Sequence, residues 1–262
     1  MSFVQQLVNA LPAWLLCIII TSAYIALSVA GLLIIRKIYP HHKSKPHNDV
    51  AGFIFATLGV MYAVLLAFTV VIAWQDYDKA NEITSNEANC LASLYRDSSS
   101  FAPELRVQLK SELVTYVHAI VHDEWHTMAT GRRSPAVQAS QEKLWSFYAG
   151  LDPQNEAQKI FLAESVKKMN QAGELRRQRI LYASSGVHPI LYFVLFVGSF
   201  ITILFAMLFG TENLIPHLVM TVLLAAMIGM IIFTILAMDY PFTGTISIKP
   251  DVFSTVLTSL MK

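Results

Sequence analysis

The chain has 262 residues, of which 55% are hydrophobic and 14% charged, where an ordinary soluble domain carries about 25% charged residues. That deficit argues against a purely water-soluble protein and brings lipid into the problem. A formal net charge of +1 argues against a nucleic-acid partner, because phosphate binding needs a concentrated cationic surface. The charges are segregated: 13 of the 19 Lys and Arg and 14 of the 18 Asp and Glu fall between Gln75 and Val187.

In chain order, residues 1–74 read as a first transmembrane hairpin. Its spans are Leu11 to Ile35, which ends at Arg36-Lys37, and Ala51 to Trp74, which ends in an interfacial Trp before Asp76. Each supplies the roughly 20 apolar residues that about 30 Å of hydrocarbon requires. The first run is too long for a signal-peptide core and has no basic residue before it, so it reads as a retained span. Lys43, Lys45, Arg36 and Lys37 in the linker place that linker inside by the positive-inside tendency, and the polar region outside; Arg176, Arg177 and Arg179 pull the other way.

Within the second span Gly52, Ala56, Gly59, Ala63 and Ala67 recur at steps of three and four, a stripe that lets helices approach closely in lipid. The stripe suits packing within the subunit or between subunits. In the second case Val60, Val64, Phe68 and Val71 would turn toward a central axis as an apolar constriction. The apolar cores of the spans hold no Asp, Glu, Lys or Arg, which argues against ion-coupled transport and leaves a passive path or none.

Residues 75–187 read as a helical soluble domain. The second-span helix is expected to continue to about Asp97, with Ser98-Ser99-Ser100 ending it. Pro103 starts a helix whose inner face is Leu105, Leu109, Leu113, Tyr116, Ile120 and Met128, stopped by Gly131. Ser134-Pro135 starts another, with Val137, Leu144 and Tyr148 inward and Gly150 as its stop. Asp152-Pro153 is expected to open a long polar helix toward the third span. His118, His122 and His126 recur every four residues and form the one ligand-like cluster in the chain. The sequence between His122 and His126 is not the zincin signature, since Asp123 stands where the general-base Glu belongs. No cofactor and no enzymatic activity are expected.

Residues 188–238 read as a second hairpin, with spans 189–209 and 215–238 joined by a link short enough to force an antiparallel pair. In the tail, 239–262, Pro241 should stop the last helix, Phe242 anchor at the interface and Gly244 permit a turn. Asp239 could cap there or pair with Arg96, Arg177 or Arg179.

Two stretches carry a resemblance when taken together. Trp74-Gln-Asp-Tyr77-Asp-Lys-Ala80 with Glu87-Ala88 and Leu94-Tyr95-Arg96, and Asp239-Tyr-Pro241-Phe242-Thr-Gly244 after the last span, resemble the bestrophin-like domain-of-unknown-function family of bacterial membrane proteins. The resemblance implies a four-span, all-α polytopic protein of the bacterial inner membrane. Through bestrophins, it also implies a ring-shaped homo-oligomeric channel, passing anions among other candidates, with the second span lining the pore. It would put the polar domain in the cytoplasm, against the loop charges. No pore or calcium-site residue of bestrophins is matched position by position. The rival readings are a non-transporting scaffold or sensor that binds a partner through its helical domain and, ranked last, a membrane metalloenzyme resting on the His row.

Overall fold

The computed structural model describes residues 3–38, 48–128, 130 and 132–260. Lys43, Lys45 and Gly131, which carried part of the topology reading and one helix stop, lie outside the described residues. No strand occurs among the described residues.

The helices are α1 (Phe3–Ala10), α2 (Ala13–Ile38), α3 (Asn48–Asp97), α4 (Pro103–Ala119), α5 (Pro135–Ala149), α6 (Glu156–Ser184), α7 (Pro189–Met207), α8 (Leu214–Met238) and α9 (Asp251–Thr255). Four of the helical stretches are long and apolar enough to cross a membrane. At 1.5 Å per residue the 50-residue α3 is about 75 Å long, more than twice the hydrocarbon thickness. Proline is missing from its interior, and the Ser98–Ser100 turn closes it.

Local chemistry sets the helix ends. Pro103 and Pro135 occupy first-turn positions, and Ser134 Oγ accepts from Val137 N at 3.3 Å. The Asp152-Pro153 expectation is corrected: α6 opens at Glu156, because Asn155 Oδ1 accepts from Gln158 N at 2.8 Å and caps it. Between Ala119 and Trp125 the α4 helix widens into a π turn, Ile120–Glu124, before a last turn Trp125–Met128. The sequence reading also missed α1, a short uncharged helix closed at Pro12.

Two apolar cores result. In the spans, α2 lies along α8 and the apolar half of α3 packs on α7 and α8, around Leu32, Tyr62, Leu66, Leu195, Ile228 and Ile232. In the polar region, α3 lies along α6 around Leu91, Leu94, Leu113, Tyr116, Leu144 and Met169. The end of α2 and the start of α3 meet the short link between α7 and α8. Asn48 donates to Gly210 O at 2.8 Å and accepts from Gly210 N at 2.9 Å, while Arg36 donates to Thr211 O and, at 3.1 Å, to Thr211 Oγ1. Span hydroxyls are largely turned back on their own helices, as Thr69 on Leu65 O and Thr202 on Gly198 O at 2.8 Å each.

Candidate functional site

Helical periodicity gives α3 three distinct sides. Tyr62, Leu66, Thr69 and Ala73 face the span core, and Ala80, Thr84, Glu87 and Leu91 continue that face into the polar core. Tyr62 fixes the register of α3 on α7: its hydroxyl donates to Leu195 O at 3.0 Å, and a Cβ at Gly198 would stand 2.6 Å from its ring.

On the opposite side, Val60, Val64, Phe68 and Val71 are 65%, 49%, 65% and 44% exposed. The small residues form a third side. Ala56, Ala63 and Ala67 are exposed, and a Cβ added at Gly52 or Gly59 would meet nothing within 4 Å among the described residues. Among the described residues the stripe thus meets no close neighbour at Gly52 or Gly59. Beyond Trp74 the outward line continues through Gln75, Asp78, Glu82, Asn86, Asn89 and Arg96, all exposed. It changes from apolar to polar where the helix leaves the apolar run, and Lys79 holds Glu82 at 2.8 Å beside it.

Inward from the polar half of α3 sits a buried charge cluster. Arg179 grips Glu87 through Nε to Oε2 at 2.6 Å and Nη2 to Oε1 at 3.0 Å, and reaches Glu124 Oε2 from Nη2 at 2.9 Å. Arg176 binds Glu124 Oε1 at 2.6 Å from Nη2, and its Nη1 donates to Gln141 Oε1 at 2.7 Å and Gln138 Oε1 at 3.2 Å. The four charges sum to zero and tie α3, the π turn, α5 and α6 together. Trp125 lies 5.2 Å from the Arg179 guanidinium carbon. Burial pushes the Glu124 carboxyl upward, but Arg176 and Arg179 override it and hold the group below the usual range. Sequence reasoning missed this cluster. Its signal was Arg176 and Arg179 three residues apart on the same side as the buried Ala172, Ile180 and Ala183.

The tail is placed differently from expectation. Asp239 bonds none of Arg96, Arg177 or Arg179: Arg179 is committed to Glu87 and Glu124, Arg177 pairs with Glu174, and Asp239 Oδ1 accepts from Val187 N. A Cβ at Gly186 would stand 2.8 Å from Asp239 Oδ2, so this carboxylate needs that glycine. Phe242 is no interfacial anchor; it is buried with its ring centroid 5.7 Å from that of Trp125, edge to face. Helix α8 ends at Met238, before Pro241, and Gly244 takes φ 81° against Val8 of α1.

Burial pushes the Asp239 carboxyl up; the Val187 N–H opposes this, and the charge of Asp76 adds to it. With the folded pKa above the unfolded value of about 3.9, the folded state holds the extra proton between the two, so stability falls as pH rises through that window. Asp239→Asn keeps the acceptor for Val187 and removes the charge. Thermal melting should show the variant above the parent at about pH 8, with the gap closing toward about pH 4. An equal gap at both pH values would contradict this assignment.

The His row does not assemble as a three-ligand site. His118 and His122 are in ring contact, centroids 4.1 Å apart, but no group of three metal-ligating side chains occurs among the described residues. The Ile120–Glu124 π turn replaces the regular four-residue row with a wider step. Cys17 and Cys90 are both free.

Four apolar helices and an all-helical polar region define a polytopic α-helical membrane protein. The chain belongs to the Bestrophin-like family, whose domain model matches residues 22–253. No curated protein sequence matches it. The fold is similar to that of a bacterial bestrophin homologue from Klebsiella pneumoniae, with TM-score 0.67 and 14% identity over 93% of this chain and 97% of that one. A point mutant of that homologue gives 0.67 and 14% over 94% and 99%. A crystal structure described as a membrane protein gives 0.68 and 15% over 93% and 97%.

Proposed function

We propose that the protein is a homo-oligomeric channel of the bacterial inner membrane that passes ions or small solutes passively, with α3 around the axis. The observation that carries this is the outward side of α3. Val60, Val64, Phe68 and Val71 form a continuous unpartnered apolar line next to a small-residue side that is open along its length. The small side is the one a neighbouring subunit would occupy, since close backbone approach is what such stripes permit in lipid. A ring of the apolar line then makes a constriction that gates by dewetting.

The implied preference for anions has no cationic ring beside the constriction to support it. The first charges past it on that side of the helix are Asp78 and the paired Lys79 and Glu82. The reading therefore stays with ions or small solutes. On topology, the arginines that opposed an outside placement count for less than their number: Arg176 and Arg179 are neutralised by Glu87 and Glu124. Loop charge favours the periplasm for residues 75–187, and the bestrophin analogy favours the cytoplasm.

Particle mass in nanodiscs tests the assembly. The parent should run at several times 29.3 kDa, and Gly59→Leu, which fills the open side of α3, should shift it to smaller species with the helical content kept. A monomeric parent would overturn the proposal in favour of the scaffold or sensor.

A further inference from the structure

The far end of α3 carries a cleft that opens on the outward side of the helix, well beyond the apolar line, and shares no residue with the charge cluster. It has a volume of about 520 Å³ and is lined by Asn89, Ser93, Tyr95, Arg96, Ser99 and Lys110, within the size range of small-molecule sites. Two cations, one amide and three hydroxyls line it, and no carboxylate does among the described residues.

The Arg96, Lys110, Asn89, Ser93 and Ser99 side chains have spare capacity. The nearest acid, Asp97, stands 3.9 Å from Arg96 Nε and is engaged by Lys168 at 2.8 Å. Lys110 Nζ lies 4.4 Å over the Tyr95 ring. Among the described residues no hydrogen bond is made by the side chains of Asn89, Ser93, Arg96, Ser99 or Lys110. This contrasts with Arg176 and Arg179, whose guanidinium groups are held by glutamates.

We propose that this cleft binds a small soluble anion through phosphoryl groups. The guanidinium of Arg96 supplies forked donors, Lys110 a point charge, and the Ser93 and Ser99 hydroxyls and the Asn89 amide further donors to the oxygens. The Tyr95 ring is capped by Lys110, so recognition rests on the phosphoryl group and not on stacking of a base. The membrane is not the source. Arg96 lies 22 positions beyond Trp74, about 33 Å further along the helix, beyond the reach of a headgroup.

Calorimetric titration of the full-length protein in nanodiscs, at constant ionic strength, tests this with pyrophosphate and with ATP as probes. Saturable binding of either is expected, weakened on the order of tenfold by Arg96→Gln and by Lys110→Gln, with the melting temperature of the free Arg96→Gln protein unchanged because that side chain is 77% exposed. Equal affinity for the two probes assigns the site to the phosphoryl chain alone. Tighter ATP binding that still depends on Arg96 and Lys110 assigns it to nucleotides. No binding of either probe, or binding that survives in the Arg96→Gln, Lys110→Gln double variant, overturns the proposal. The outcome is independent of whether the protein conducts.

Discussion

Arg179→Met is expected to destabilise the folded protein by about 3–5 kcal/mol, the cost of leaving a buried charge without its partner. Arg179 is fully buried and is shared by Glu87 and Glu124, which are fully buried themselves. Its removal leaves Glu87 without either of its guanidinium contacts and Glu124 with Arg176 alone. The contrast is Arg177→Met. Arg177 pairs with Glu174 only three residues away and both side chains are more than half exposed, so this substitution should stay within about 0.5 kcal/mol. The double variant Glu87→Leu, Arg179→Met should recover part of the loss, because an apolar pair does not carry an unpaired charge. Chemical unfolding in detergent reads all three. Equal stability of the Arg179 and Arg177 variants would contradict the assignment of the cluster as the tie between α3, α5 and α6.

The cluster also shows where sequence reading stops. The charge-free runs, the continuation of α3 through Trp74 to Asp97 and the Ser134 cap are local facts, set by composition and by side chains within three or four residues. The pairing of Arg179 with Glu87 and of Arg176 with Glu124 spans 92 and 52 residues and depends on α6 lying against α3. Seen in sequence, Arg176, Arg177 and Arg179 are equivalent basic residues before a span; only packing separates the two buried ones from the exposed one. Phe242 misled for the same reason. An aromatic just after a span suggests an interface, but Trp125 and Phe253 turn this end of the chain into part of the polar core. At Asp152-Pro153 two local signals compete, and the Asn155 side-chain cap prevails over the proline. The outward side of α3 was legible as a period of three and four, but whether its stripe packed inside the subunit was not. The open space at Gly52 and Gly59 among the described residues is a tertiary fact that no spacing in the sequence carries.

The second large effect concerns the apolar line itself. Val64 sits at its centre, exposed on the side opposite Tyr62 and Leu66, so substitutions there alter no contact of the subunit core. In an assembled ring each subunit would contribute one such side chain, and a single change would be repeated around the axis. An ion crossing an apolar constriction must shed water without receiving replacement dipoles, which makes the crossing costly. Val64→Ser places hydroxyls in that path, and Phe68→Ala widens it. A barrier lowered by about 1.4 kcal/mol raises flux tenfold, and a ring of hydroxyls can exceed that.

Ion flux from vesicles reconstituted with the parent and with Val64→Ser, at matched particle mass, tests the central claim most directly. The α3-lined channel predicts a rise on the order of tenfold in Val64→Ser, a similar rise in Phe68→Ala and none in Ile19→Ser, an exchange at an exposed position of α2. Flux that is unchanged in both α3 variants, with assembly intact, would contradict a path along α3.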